Sequence, residues 1–458
     1  MVFSSILFIF RFLPAALVLY FLTPKKYKNF TLLILSLIFY SWGEIKYIFI
    51  MFASIFVDYF ASLGIEKYRE KKKVTLVFLW ISICFNLGML FFFKYFNFFI
   101  DNVNSIFNLA FNHVKVTLPL GISFYTFQTM SYTIDVYRGN VRAEKNIINF
   151  GAFVCLFPQL IAGPIVKYTD INKELKERTI HRNQIEEGIE LFIIGLGRKV
   201  LIANNIGMLW TEVEALGFAT VSTPLAWLGI IAFGFQIYFD FSGYSLMAIG
   251  LGKMLGFNFP RNFNYPYISR SMSEFWRRWH ITLGSWFREY VYIPMGGNRA
   301  SKGRVIFNLF MVWFLTGFWH GASYNFIMWG LLFFILISIE KLGFIKILNE
   351  HKIISRVYVI FFLIIGWALF AVTDLAMLKE LMIAMFNFNG GTDWTYYLRN
   401  YGVMLALAIV FSTPLIENLY KKLARNRIVN AIVMILIFIV SVAYLVDSTY
   451  NPFLYFRF

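Results

Sequence analysis

The chain has 458 residues, of which 59% are hydrophobic, 20% aromatic and only 15% charged, and its formal net charge is +17. A soluble protein of this length needs a far larger charged surface, so composition argues against a string of soluble domains and for a single membrane-embedded domain over residues 1–458. The basic residues fall in short clusters between apolar runs, which speaks against a nucleic-acid reader and for the charged loops of a protein embedded in a lipid bilayer.

Taking about 20 apolar residues per span, candidate membrane helices lie near 5–22, 29–42, 46–64, 74–93, 147–166, 184–210, 224–252, 305–320, 326–340, 354–372, 401–418 and 428–446. This predicts an all-α polytopic membrane protein with about 10–12 spanning helices, plus re-entrant or interfacial helices where polar backbone lines a cavity instead of lipid. The first run has no basic segment before it and no small-x-small pattern after it, and reads as a retained helix. Basic loops at Lys25–Lys28, 67–73, Lys341–Arg356 and 421–427 are assigned to the cytoplasm by the Lys/Arg bias, which puts the N-terminus and the tail NPFLYFRF outside.

Three stretches along the way carry polar signals. LFPQLIAGPIVKY, with Pro158, Gly163 and Pro164, reads as a broken helix, and the run 184–210 holds Arg198 and Lys199 deep inside it. In GFQIYFDFSGYSLMAIG, Gln236 and Asp240 lie one turn apart within a span. Such side chains join neighbouring helices by hydrogen bonds, and an acid in lipid is also a candidate to orient a histidine. Cys84 and Cys155 both sit in apolar runs, with no spacing that suggests a disulfide or a metal site.

Between 253 and 304 nine basic residues face two acids, Glu274 and Glu289, which marks a cytoplasmic stretch suited to a phosphorylated ligand. Within it, Ser271-Met272-Ser273-Glu274 fits a capping box that starts a helix. On one continuous helix Trp276, His280, Leu283 and Phe287 share a face, Arg277 and Arg288 share another, and Glu274 pairs with Arg278 at i+4. His320 ends the apolar run MVWFLTGFWHG, where Trp313, Gly317, His320 and Tyr324 share a helical face. Ionisable groups in lipid are costly and point to function, and a neutral buried histidine is a serviceable general base for a hydroxyl. No G-x-S-x-G elbow, HExxH or CxxC accompanies the histidines, so neither a serine hydrolase nor a metal site is expected.

FWRRWHITLGSWFREYVYIPMGGNR, FLTGFWHGASYNFIMWG, QIYFDFSGYS and the terminal NPFLYFRF together resemble the membrane-bound O-acyltransferase family, and YIPMGGNR is most similar to its alginate and cell-envelope polysaccharide O-acetyltransferase branch. The resemblance implies helices around a central tunnel in a bacterial-type cytoplasmic membrane. It further implies acetyl-CoA as cytoplasmic donor, no permanently bound cofactor, and a separate extracytoplasmic transferase that completes delivery to a polysaccharide. It implies that His320 is the principal catalytic histidine and His280 the second; Asp240, Trp276, Trp319 and Asn325 are candidates to support them. Arg277, Arg278 and Arg288 become candidates for the CoA phosphates, and the Tyr455 hydroxyl for an acyl relay beside its alternative as an interfacial anchor. Leu246 stands where the alginate branch is expected to carry Asp and is closer to teichoic-acid D-alanyl transferases, which keeps D-alanyl transfer open. The rivals from other classes are a proton-coupled transporter or flippase using the same histidines, and a structural subunit of an export complex.

Overall fold

The structure is a computed structural model that describes residues 1–161, 163–447 and Leu454, and it contains no β-strand among them. Among the described residues six helices are long and apolar enough to cross a membrane, or seven if the pair Asp393–Phe411 and Pro414–Leu423, bent by 76°, is counted as one more. The protein is therefore an all-α, multi-pass membrane protein, with fewer qualifying helices than apolar runs. The difference has identifiable causes. Lys25–Lys67 counts once, yet 43 helical residues would reach about 64 Å, roughly twice the hydrocarbon core. Glu44, at φ −146° and ψ 49°, divides it into α1 (Lys28–Glu44) and α2 (Ile48–Lys67).

The described chain clusters into two compact units, residues 1–192 with 245–260 and residues 193–244 with 261–458. In the first, α2 packs with α3 (Lys72–Leu90) and α4 (Ile122–Arg138) around a buried carboxylate. Asp58 accepts from the Ser82 hydroxyl, from Asn86 Nδ2 at 2.8 and 3.1 Å and from Thr133 Oγ1 at 3.3 Å, while Thr129 donates to Asn86 Oδ1 at 3.2 Å. In lipid such bonds hold helices together where the hydrophobic effect does not. The expected broken helix is also here: α5 (Ile147–Cys155) ends where Leu156 leaves helical geometry at φ −48° and ψ 106°, and a single turn, Phe157–Leu160, follows. A Cβ on Gly163 would lie 2.6 Å from Gln159 Cα, so only glycine fits the turn back.

The second unit carries both histidines of interest. The helix α6 (Arg182–Gly197) enters it and widens into a π-helical turn, Arg198–Ala203, that holds Lys199. The long α7 (Thr223–Met254) supplies Asp240. Two short helices, α8 (Met272–Arg278) and α9 (Ile281–Phe287), precede α10 (Lys302–His320), α11 (Tyr324–Ile339) and α12 (Lys352–Ala371). The glycine pair Gly317 and Gly330 lets α10 and α11 meet backbone to backbone. A Cβ on Gly317 would come 2.3 Å from the Phe326 carbonyl, and one on Gly330 2.4 Å from that of Trp313.

Candidate active site

The segment around His280 begins as the capping box requires, with Ser271 Oγ accepting from the Glu274 N–H at 3.0 Å. Glu274 reaches back one residue further than expected, to the Arg270 N–H at 2.9 Å, and pairs with Arg278 at 2.9 Å. A second carboxylate comes from far along the chain. Buried Glu340 accepts from the N–H groups of Met272 and Ser273 and, at 2.6 Å, from the Ser273 hydroxyl. The free N–H groups at the start of α8 thus meet negative charge.

The continuous helix expected through His280 is not formed. Trp279 is extended and His280 takes the left-handed conformation, φ 44° and ψ 54°, so α8 and α9 meet at the histidine and the shared faces across the joint are lost. The physical reason is a neighbouring segment that supplies the bonds a helix would have made. Asn264 N–H donates to the Arg278 carbonyl and Ile281 N–H to the Asn262 carbonyl, both at 2.9 Å. Asn262 Oδ1 then accepts from the Thr282 N–H at 3.1 Å and the Thr282 hydroxyl at 2.9 Å. A left-handed non-glycine residue costs about 1–2 kcal/mol, a cost these contacts offset.

The same oxygen fixes the imidazole. A backbone N–H only donates, so the Asn262 atom that Thr282 meets is its carbonyl oxygen, and His280 Nδ1 lies 3.2 Å from it. Nδ1 therefore carries the proton, and the lone pair resides on Nε2. Burial holds the ring below its ordinary pKa, which keeps it neutral.

His320 is the last residue of α10, and the chain then turns through extended Gly321 before α11 begins at Tyr324. Tyr324 consequently leaves the face that Trp313, Gly317 and His320 share. The His320 ring sits among Trp319, Trp329 and Phe370, with centroids 5.0, 5.0 and 5.1 Å away. Asn325, fully buried, donates from Nδ2 to the Leu369 carbonyl at 2.9 Å and so ties α11 to the end of α12 that presents Trp367 and Phe370. Trp276 packs against Trp313 and Phe333 at 4.9 Å and Trp329 at 5.3 Å.

These elements bring the two histidines to one place. Trp319 lies 5.0 Å from His320 and 6.2 Å from His280, ring to ring. Phe241 stacks edge-on to His280 at 4.8 Å and, with His320, Ile237, Trp279, Trp329, Trp367 and Phe370, lines a cavity of about 10 Å³. That is room for about one water molecule. An imidazole, that of His320, on the wall of a small cavity suits proton transfer to or from a hydroxyl.

The family model of membrane-bound O-acyltransferases matches residues 141–378, a stretch that contains every residue of this cluster. The chain belongs to the membrane-bound O-acyltransferase family. It is 36% identical to a probable alginate O-acetylase of Pseudomonas putida, with both chains covered in full. It is 43% identical to a probable alginate O-acetylase of Pseudomonas aeruginosa over 85% of this chain and 75% of that protein. A peptidoglycan O-acetyltransferase of Helicobacter pylori is 34% identical over 85% of this chain and 80% of its own.

Within this O-acyltransferase the other expected site residues fall differently. The Asp240 carboxylate meets Lys199 Nζ at 2.6 Å and the Leu454 N–H at 2.9 Å, so it is held by an ion pair. Arg278 is taken up by Glu274 and the Asn264 carbonyl, whereas Arg277 and Arg288 are exposed. Tyr455 lies outside the described residues. Sequence reasoning missed Asn262, Glu340, Trp329, Trp367 and Phe370. Asn262 follows a basic residue in a loop and gave no signal of its own, and the aromatics are indistinguishable in sequence from the rest of an aromatic-rich chain.

Proposed function

We propose that this O-acyltransferase moves an acetyl group from a cytoplasmic thioester, acetyl-CoA, towards hydroxyl groups of an extracytoplasmic polysaccharide. The observation that carries this reading is the convergence of His320 and His280 on Trp319 beside a small cavity, in a chain similar over most of its length to alginate and peptidoglycan acetylating proteins. His320 takes the proton of the acceptor hydroxyl as the oxygen attacks the thioester carbonyl; the C–S bond then breaks and the proton passes to the departing thiolate. His280 holds the acyl group in place beside it. In this reading exposed Arg277 and Arg288 meet the CoA phosphates, which charge-assisted guanidinium contacts suit. The membrane is the cytoplasmic membrane of a bacterial-type cell, and a separate extracytoplasmic transferase completes delivery to the polymer.

Incubating the purified protein with labelled acetyl-CoA tests this. Protein-dependent loss of thioester with transfer of label supports it. Intact acetyl-CoA, with activity only on a D-alanyl donor or only as transport, would refute it.

A further inference from the structure

The small cavity beside His320 has a much larger neighbour in the same unit. A second cavity of about 580 Å³ is lined mainly by apolar residues, among them Ile230, Ile231, Ile360 and Leu363, with Arg356 on its wall. Ile360 and Ile409 on its wall are 49% and 54% exposed, so this cleft opens at the protein surface. In a membrane protein an open apolar cleft accepts hydrocarbon. Among the described residues Trp367 alone lines both spaces.

The Trp367 side chain is well held in that place. It is 4% exposed and packs on Trp279 at 4.8 Å and Phe370 at 6.0 Å. On the cleft side it faces Gly234, where a Cβ would lie 2.9 Å from the indole Cδ1, so glycine at 234 is what leaves the ring its room. The Tyr267 hydroxyl donates to the Gly234 carbonyl and fixes the backbone there.

We propose that Trp367 is the partition that sets the acyl length this protein accepts. The indole closes the His320 cavity against the cleft, so the small space beside the histidine has no extension into which a chain longer than acetyl could run. Without the indole the cleft becomes the continuation of the cavity, and an acyl chain of about six carbons lies in it. This rests on thioester acyl transfer at His320 as proposed above.

The test is a competition between acetyl-CoA and hexanoyl-CoA, differently labelled, in membranes carrying the full chain, with protein-dependent loss of each thioester followed. The ratio of hexanoyl to acetyl transfer does not depend on how much protein is folded. Trp367→Ala should raise that ratio roughly tenfold or more, in line with what pocket shape contributes to discrimination, with Trp367→Leu intermediate and Trp367→Phe smallest. Ile231→Trp, which fills the cleft and does not line the His320 cavity, should leave the ratio unchanged alone and cancel the gain in Trp367→Ala. An unchanged ratio in variants that still transfer acetyl overturns the proposal. So does loss of all transfer in folded Phe and Leu variants, which would make the indole part of the machinery instead of a partition. Absence of acetyl transfer by the unmodified protein would instead defeat the donor reading, before any variant is compared.

Discussion

Lys199 and Asp240 offer the sharpest energetic test of how the second unit is held together. Their side chains are 1% and 2% exposed and stand 2.6 Å apart, and Lys199 Nζ also donates to Asn204 Oδ1 at 2.9 Å. At that distance and an effective dielectric of about 20 the attraction is about 6 kcal/mol, while burying the two ions opposes it by several kcal/mol each. The pair together is therefore worth little, but either ion alone is stranded. Lys199→Met or Asp240→Ala should each lower the unfolding free energy by about 3–5 kcal/mol, and Lys199→Met with Asp240→Leu should recover most of that loss. Titration with SDS in mixed micelles, followed by tryptophan fluorescence, measures all three. If the single variants are as stable as the unmodified protein and only turnover falls, Asp240 is a catalytic group and the structural account of the pair is refuted.

Three further outcomes follow from the site. Asn262→Ala removes the acceptor for His280 Nδ1 and for both Thr282 donors. It should cost about 2–4 kcal/mol and lower kcat more than it raises KM, whereas Asn262→Asp, which keeps an acceptor, should restore part of the rate in a turnover assay. Gly330→Val places side-chain atoms where the Trp313 carbonyl already lies 2.4 Å from a Cβ, so α10 and α11 must separate; the protein should lose transfer and show a lowered Tm by scanning fluorimetry. Glu340→Gln retains bulk but removes the charge facing the start of α8. It should reduce stability by about 1 kcal/mol in the SDS titration, with a smaller fall in rate than Asn262→Ala.

What the sequence made legible was local. The Ser271 cap, the Glu274–Arg278 pair and the break at Leu156 all involve residues within a turn or two of one another, and each is formed. His280 and His320 stood out because ionisable side chains are rare in apolar runs, and the fold brings both against Trp319. What it hid was long-range. Periodicity carried one helix straight through His280, because the bonds that break it come from Asn262 and Asn264. Asp240 looked available to a histidine because its partner, Lys199, lies on another helix. Trp329, Trp367 and Phe370 acquire meaning only once α11 and α12 place them around one cavity.

The most direct measurement is acetyl transfer from labelled acetyl-CoA by His320→Ala, compared with the unmodified protein at equal folded concentration. The account predicts loss of transfer, on the order of 10²-fold or more for a general base, with insertion and Tm retained. Transfer at the unmodified rate by folded His320→Ala would contradict it.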